Sequence, residues 1–246
     1  MAQVIIHPYT PKDPITMIGY MSGVCYGSDI TNEEKNYKRG LDCLESQHGR
    51  TWEFPSIYMT IEGYSARVMR EVYTHIGGAP TRVQASTRYI NYKDFDYYTP
   101  PSIANNSEAS FIYHHMMEDI KYGLNTLETL GIAKEDSANG LPLGMESKMV
   151  GKYNPRTLID MSHQRECVRA YHEYRELFSD LKKSLSEYSE QWKLIVDKFF
   201  MPKCEFMMYC PERFSCGKYP RKDVVENLIT QWREEQKKVS KWTTDH

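Results

Sequence analysis

The densest run of ligand-binding side chains lies between Thr81 and Tyr89, in Thr-Arg-Val-Gln-Ala-Ser-Thr-Arg-Tyr. Arg82 and Arg88 bring guanidinium forks, Gln84 an amide, and Ser86 and Thr87 hydroxyls, directly after the break at Gly77, Gly78, Ala79 and Pro80. Backbone N–H groups beside bidentate cations suit an anionic ligand, although a glycine-broken polar turn is more commonly a plain loop. A second concentration follows Asn154. Read as one helix of 3.6 residues per turn, it sets Arg156, Asp160, His163 and Cys167 on one face, and Leu158, Arg165, Arg169 and His172 near the opposite one. No clean apolar face remains. The helix is then either solvent-exposed, with Glu166 or Glu173 pairing with Arg169, or it runs through a subunit interface and serves a ligand on each face.

Other candidates carry less. His75 closes a helix, where a histidine is more often a partner of the helix dipole than a catalyst. His114 and His115 are adjacent and diverge, so they cannot clamp a metal. Cys204, Cys210 and Cys216 are evenly spaced but lack the C-x2-C pairing of a zinc site, so no metal is expected, and Cys25, Cys43 and Cys167 read as buried small hydrophobes. No nucleophile triad, paired-carboxylate constellation, P-loop or dinucleotide fingerprint stands out.

The elements that must position these groups follow from caps and periodicity. Thr31 to Glu34 is a capping box opening a helix to about Ser46, and Ser56 to Ile61 reads as a strand. Ser65 caps a helix through Val68, Met69, Val72 and Tyr73. A polar, aromatic stretch from Thr81 to Tyr98 closes at Pro100 and Pro101. Ser107 to Leu130 is helical, with Phe111, Met116, Ile120, Leu124 and Leu127 as its inner face. Leu143 to Tyr153 reads as a strand. Asn154 and Pro155 open the longest helix, running to about Phe178 and followed by another to Phe200. A charged, solvated helix runs from Lys222 to about Lys238. Without a repeat or linker, the expectation is one α+β domain over 1–246, with a central, mostly antiparallel sheet and long helices.

With 246 residues, 31 basic against 33 acidic side chains and 40% hydrophobic residues, the chain is a near-neutral globular protein. It lacks the basic excess of a protein that binds a nucleic acid polymer. Tyrosine dominates the aromatics, 19 against 8 Phe and 4 Trp, which suits pockets and interfaces where one end of the ring is dry and the other wet. No uncharged run approaches a membrane span and Met1 to Thr10 lacks a signal pattern, so a cytoplasmic location is expected.

Five motifs in order carry a resemblance. Gln84, Ser86, Arg88 and Tyr89, followed by a Tyr-rich stretch, resemble the end of the central motif of the flavin-dependent thymidylate synthases. His48 to Glu53 is similar to that family's Gly-His-x-x-x-x-Glu-His segment, and Leu141 with Pro142 to its Leu-Pro. Asn154, Pro155 and Arg156, then Arg165 and the run Arg169 to Arg175, resemble its N-x-R and R-x-x-x-R-A-Q-x-E-I-R helix, so the likeness spans about 40–180. The resemblance implies a homotetramer whose sites draw on several subunits and which reductively methylates dUMP to dTMP. FAD would be the cofactor, with NADPH and methylenetetrahydrofolate as co-substrates. It further implies that Glu53, His75, Asn154, Arg156 and Asp160 line the flavin site, and that Gln84, Ser86, Arg88 and Arg165 hold dUMP. Arg165 would stabilise charge on the uracil carbonyl. Ser86 would bind nucleotide, the rival reading being a nucleophile. No enzyme nucleophile is required if the flavin handles the pyrimidine ring.

The departures are specific. Thr74, His75 and Ile76 stand where the family has Arg-His-Arg, Glu71 where it has Gln, Ala138 where it has Arg, and Phe54 where it has His. Arg82, or Arg67 and Arg70 on the preceding helix, would have to replace the lost cations. The departures keep two alternatives open: a flavin enzyme of the same fold acting on another pyrimidine nucleotide, and a non-catalytic nucleotide-binding homologue that has lost FAD.

Overall fold

The computed structural model describes residues 2–242, with side chains described as far as residue 237. In chain order it contains β1 (Gln3–Ile6), α1 (Pro14–Cys25), α2 (Glu33–Glu45), β2 (Ile57–Ser65), α3 (Ala66–Tyr73), β3 (Thr81–Gln84), α4 (Pro101–Ala104), α5 (Ser107–Thr129), α6 (Lys134–Ser137), β4 (Glu146–Tyr153), α7 (Pro155–Arg165), α8 (His172–Tyr188), α9 (Glu190–Phe199), α10 (Lys203–Met207) and α11 (Lys222–Trp242). The four strands form one antiparallel sheet in the order β1-β2-β4-β3. Ser147, Met149, Gly151 and Tyr153 of β4 are buried while Lys148, Val150 and Lys152 face outward, the period of two expected of a sheet covered on one face. That covered face meets α7, α8 and α9 in a core that includes Leu158, Tyr174, Phe178 and Trp192, and α1 and α2 extend it through Ile15, Ile18 and Leu44. Gly19 and Gly40 let α1 and α2 touch, because a Cβ at either would run into the backbone of Asn36 or Ile15.

This is the α+β class with an antiparallel sheet that the sequence implied, but several elements differ. The expected helix over 154–178 ends at Arg165, and α8 begins only at His172. On one straight helix Leu158 and Tyr174 would point about 160° apart. The interruption lets both reach the same core, where each is fully buried. In consequence α7 is neither a solvated helix nor one without an apolar face: Leu158, Ile159, Met161 and Ser162 are all buried. On α5 the buried residues are Met117 and Leu124, whereas Phe111, Met116 and Leu127 of the expected inner face are exposed. The helix leans only on a small cluster with Phe95 and Met145, against which Ile120 packs. β2 runs past the expected end through an irregularity at Gly63, whose φ of 75° suits glycine. β1, α1 and β3 were not anticipated, and Asn32, one residue after Thr31, caps α2.

Ser65 caps α3 as expected, its Oγ accepting from the Val68 N–H at 3.3 Å. It also donates through both its N–H and its hydroxyl to the buried carboxylate of Glu173 on α8, each at 2.6 Å. Burial pushes the Glu173 carboxyl up from its usual range, and the Ser65 bonds oppose that rise.

Candidate functional site

Two short segments build the most constrained polar cluster: the C-terminal end of α3 and the last residue of α7. Arg165 donates from Nη1 to Glu71 Oε2 at 2.9 Å, from Nε to His75 Nε2 at 2.9 Å, and from Nη2 to Thr74 Oγ1 at 3.4 Å. Its guanidinium lies over the Tyr174 ring, 4.7 Å from the centroid. An imidazole nitrogen that accepts from an arginine must be unprotonated. Accordingly, burial first, then the charges of Arg165 and Arg82, push the His75 pKa down to about 4. The cluster fixes a cation with its planar fork oriented, a suitable arrangement for stabilising negative charge on a ligand oxygen.

The other end of α7 is built differently. Asn154 accepts from the Thr157 N–H at 2.9 Å, and Thr157 Oγ1 donates to the Gly77 carbonyl at 2.9 Å. Gly78, at φ 71°, sits so close to Thr157 that a Cβ there would collide with its hydroxyl. Arg156 reaches outward to Glu53 at 2.6 Å. Asp160 is exposed on the same side.

A run of clefts follows α7 from end to end. One of about 360 Å³ is lined by Arg50, Trp52, Arg156, Asp160 and Phe206. The next, about 460 Å³, shares Asp160 and His163 with it and adds His75 and Gly77. The third, about 630 Å³, shares His163, Gln164 and Lys203 with the second and takes in Arg165 and Arg169. His163 therefore lies in all three. Its ring stacks on Phe206 at 4.8 Å, its Nε2 is buried without a hydrogen-bond partner, and burial lowers its pKa. Aromatic walls, the cations Arg50, Arg156 and Lys203, and an unsatisfied nitrogen fit an aromatic dinucleotide such as a flavin. Cys167, expected to be a core residue, lines the third cleft with Cys204, Cys210 and Cys216. Among the described residues no three His, Cys, Asp or Glu side chains are grouped to hold a metal.

The segment after the Gly-Gly break lies apart from Arg165. Gln84 donates to Ser147 Oγ at 3.0 Å, Ser86 Oγ accepts from the Arg88 N–H at 3.1 Å, and Arg88 pairs with Glu135 at 2.8 Å. No contact among the described residues joins Ser86 or Arg88 to Arg165. Arg82 does not replace a lost ligand cation here: Nη1 donates to the carbonyls of Val72 and His75 at 2.8 and 3.0 Å, and the guanidinium stacks on Tyr73. Thus His75 and Arg165 meet, Glu53 and Arg156 meet, and Gln84, Ser86 and Arg88 stand separately. Sequence reasoning did not single out Tyr174, Lys203 or Arg50 as site residues, and it placed His163 only on the helix face shared with Arg156 and Asp160. Arg50, next to Gly49 in the His48 to Glu53 motif, left a local signal as well.

The chain matches known proteins in sequence and in fold. The family described as thymidylate synthase complementing protein matches residues 6–189. The chain belongs to that family. Among relatives of the thymidylate synthase complementing protein family, a flavin-dependent thymidylate synthase of Nitratidesulfovibrio vulgaris is 32% identical over 207 residues, covering 78% of this chain and 81% of the relative. One from Pyrococcus horikoshii is 27% identical over 224 residues, covering 87% and 91%. In fold, the chain is similar to thymidylate synthase X of Helicobacter pylori, whose crystal structure contains FAD and dUMP. The TM-score is 0.60 at 17% identity, over 80% of this chain and 99% of that one.

Proposed function

We propose that this chain is a flavin-dependent thymidylate synthase that converts dUMP to dTMP, with methylenetetrahydrofolate as carbon donor and NADPH as reductant. The observation that carries the reading is Arg165, a guanidinium fixed on three side chains at the mouth of a cleft, in a chain of this family. Arg165 stabilises negative charge on a pyrimidine carbonyl as the ring is attacked. Arg50, Arg156 and Lys203 are the cations for a flavin pyrophosphate, with Asp160 and His163 as polar neighbours of the cofactor and Glu53 steering Arg156. When bound, FAD supplies the redox chemistry. Asn154 and His75 act by holding the ends of α7 and α3 in place.

Gln84, Ser86 and Arg88 serve a nucleotide from another copy of the chain in a homotetramer. Two features support this: the segment's separation from Arg165, and exposed apolar side chains on β3, β4 and α5, among them Val83, Val150, Phe111, Ile112 and Tyr122. No helix among the described residues is long and apolar enough to cross a membrane. The proposed enzyme works in the cytoplasm.

Two measurements test the function. Purified protein should carry, or take up, FAD with the visible absorbance of a flavin. It should also release tritium from dUMP labelled at carbon 5 only when methylenetetrahydrofolate is present. A protein that neither carries nor binds FAD overturns the proposal, and tritium release that ignores the folate points to another carbon donor.

A further inference from the structure

Arg175, Ser179 and Lys182 are spaced four and three residues apart on α8, so their side chains rise from one face of that helix. Glu166, the residue after α7, comes across to meet them, and the four line a cleft of about 210 Å³. It shares no lining residue with the three clefts that follow α7. It is also smaller than the clefts of about 300–1,000 Å³ that take cofactors and drug-sized ligands.

The charges in this cleft do not cancel. Lys182 spends two of its three N–H groups, on Glu166 Oε2 at 2.8 Å and on the Phe200 carbonyl at 2.9 Å. Arg175 spends none: among the described residues its guanidinium makes no hydrogen bond and no ion pair, and its Nε is buried without a partner. The nearby Glu205 and Lys218 pair with each other at 2.9 Å, which leaves one positive charge over on a partly buried group. Burial first pushes the Glu166 carboxyl up from its usual range, with the Lys182 bond opposing, so the balance does not move towards the negative side. Water would satisfy the hydrogen bonds of Arg175 but not its charge, and an anion satisfies both.

The acceptor in the cleft selects among anions. Glu166 Oε1 is buried and has no donor in the protein. Sulfate or nitrate would bring Arg175 its counter-charge but would set a bare oxygen against that carboxylate. An oxyanion with its own O–H brings oxygens for Arg175, the third N–H of Lys182 and the Ser179 hydroxyl, together with a hydrogen for Glu166 Oε1.

We propose that Arg175, Ser179, Lys182 and Glu166 form a binding site for a small oxyanion that carries its own O–H, of the class of hydrogencarbonate or hydrogenphosphate, separate from the clefts along α7. The site does not depend on the proposed function. Through Glu166 it adjoins Arg165, and through the Phe200 carbonyl it reaches the end of α9, so its occupant ties α7, α8 and α9 together.

The test is a calorimetric titration of the full chain at neutral pH, with FAD and dUMP in excess so that any phosphate contacts they make are already taken. The ligands are hydrogencarbonate, inorganic phosphate, sulfate and nitrate against a chloride background. Hydrogencarbonate, phosphate or both should bind at one site per chain, and sulfate and nitrate roughly tenfold or more weakly. Nitrate matches hydrogencarbonate in charge and lacks the hydrogen, so that pair isolates the part played by Glu166. Arg175→Gln should lose the binding while its melting temperature in chloride alone stays close to wild type, because the guanidinium it removes has no partner in the protein. Glu166→Gln offers an amide N–H in place of the bare oxygen and should erase the preference over nitrate. Wild-type protein that binds none of the four anions, or an Arg175→Gln variant that binds them as wild type does, overturns the inference and leaves the cleft to water. Equal wild-type affinity for nitrate and hydrogencarbonate overturns the assignment of a hydrogen-bearing ligand. A chain that binds neither FAD nor dUMP overturns the proposed function alone, since the anion series and Arg175→Gln still report on this cleft.

Discussion

The two ends of α7 carry an arginine each and use it in opposite ways. At the N-terminal end the bonds that fix the fold belong to uncharged groups, Asn154, Thr157 and the Gly77 carbonyl, and Arg156 has one polar partner among the described residues, Glu53, and 52% of its side chain exposed. At the C-terminal end Arg165 itself fixes the local structure, binding three side chains of the α3 terminus and covering an aromatic ring, with 21% exposed. An arginine held by one exposed pair can swing to suit a flexible ligand. One held on three sides cannot, and its orientation is set before a ligand arrives. The contrast separates a cation that adapts from a cation that is preorganised.

The largest expected effect breaks the preorganised end. Arg165→Ala should lower kcat by about 100-fold or more while circular dichroism and oligomeric state stay native, the size expected for losing a charge stabiliser; a variant retaining most of its turnover would remove Arg165 from the chemistry. At the other end Gly78→Ala must place a Cβ against Thr157 with a left-handed backbone, and should cost about 2–3 kcal/mol in denaturant unfolding. His75 sharpens the contrast through pH. Its pKa of about 4 lies below the ordinary 6.5, so the unfolded chain takes up a proton that the folded chain refuses. The stabilisation is fully present above about pH 6.5 and is lost as pH falls towards about 4, and His75→Gln should flatten that part of a melting-temperature profile relative to wild type. Asn154→Ala removes a cap and should cost about 1 kcal/mol, read from the same unfolding curves. The smallest change is Glu53→Ala. An exposed pair contributes about 0–1 kcal/mol, so stability should barely move, while FAD affinity shifts if Glu53 steers Arg156.

What the sequence disclosed about these two ends differs for a physical reason. Asn154 followed by Pro155 is a local signal, and it placed the start of α7 correctly, as Ser65 placed the start of α3. The end of α7 has no such mark, because 166–171 contains neither Gly nor Pro. The helix stops there because Leu158 and Tyr174 must reach one core, a demand visible only in three dimensions. The bond between Glu71 and Arg165 spans 94 residues, so Glu71 stood out in sequence only as a departure from the family pattern. β1 and β3, four residues each, are too short to show periodicity and owe their existence to the strands beside them. Likewise, the ordered motifs from His48 to Arg175 indicated the family, but not that Arg82 is tied to backbone carbonyls and Arg88 to Glu135.

α3 is eight residues long, less than an isolated helix needs to persist in water. Its order comes from outside, from Glu173 at the first turn and Arg165 at the last. The two anchors differ in kind, since Glu173 is sealed in the core and Arg165 faces a cleft. Amide exchange in α3 should therefore be asymmetric, slow where Ser65 meets Glu173 and sensitive to ligand near Thr74. Fraying at that end would run directly into the loop that feeds β3, giving the occupied cleft a short route to the sheet edge.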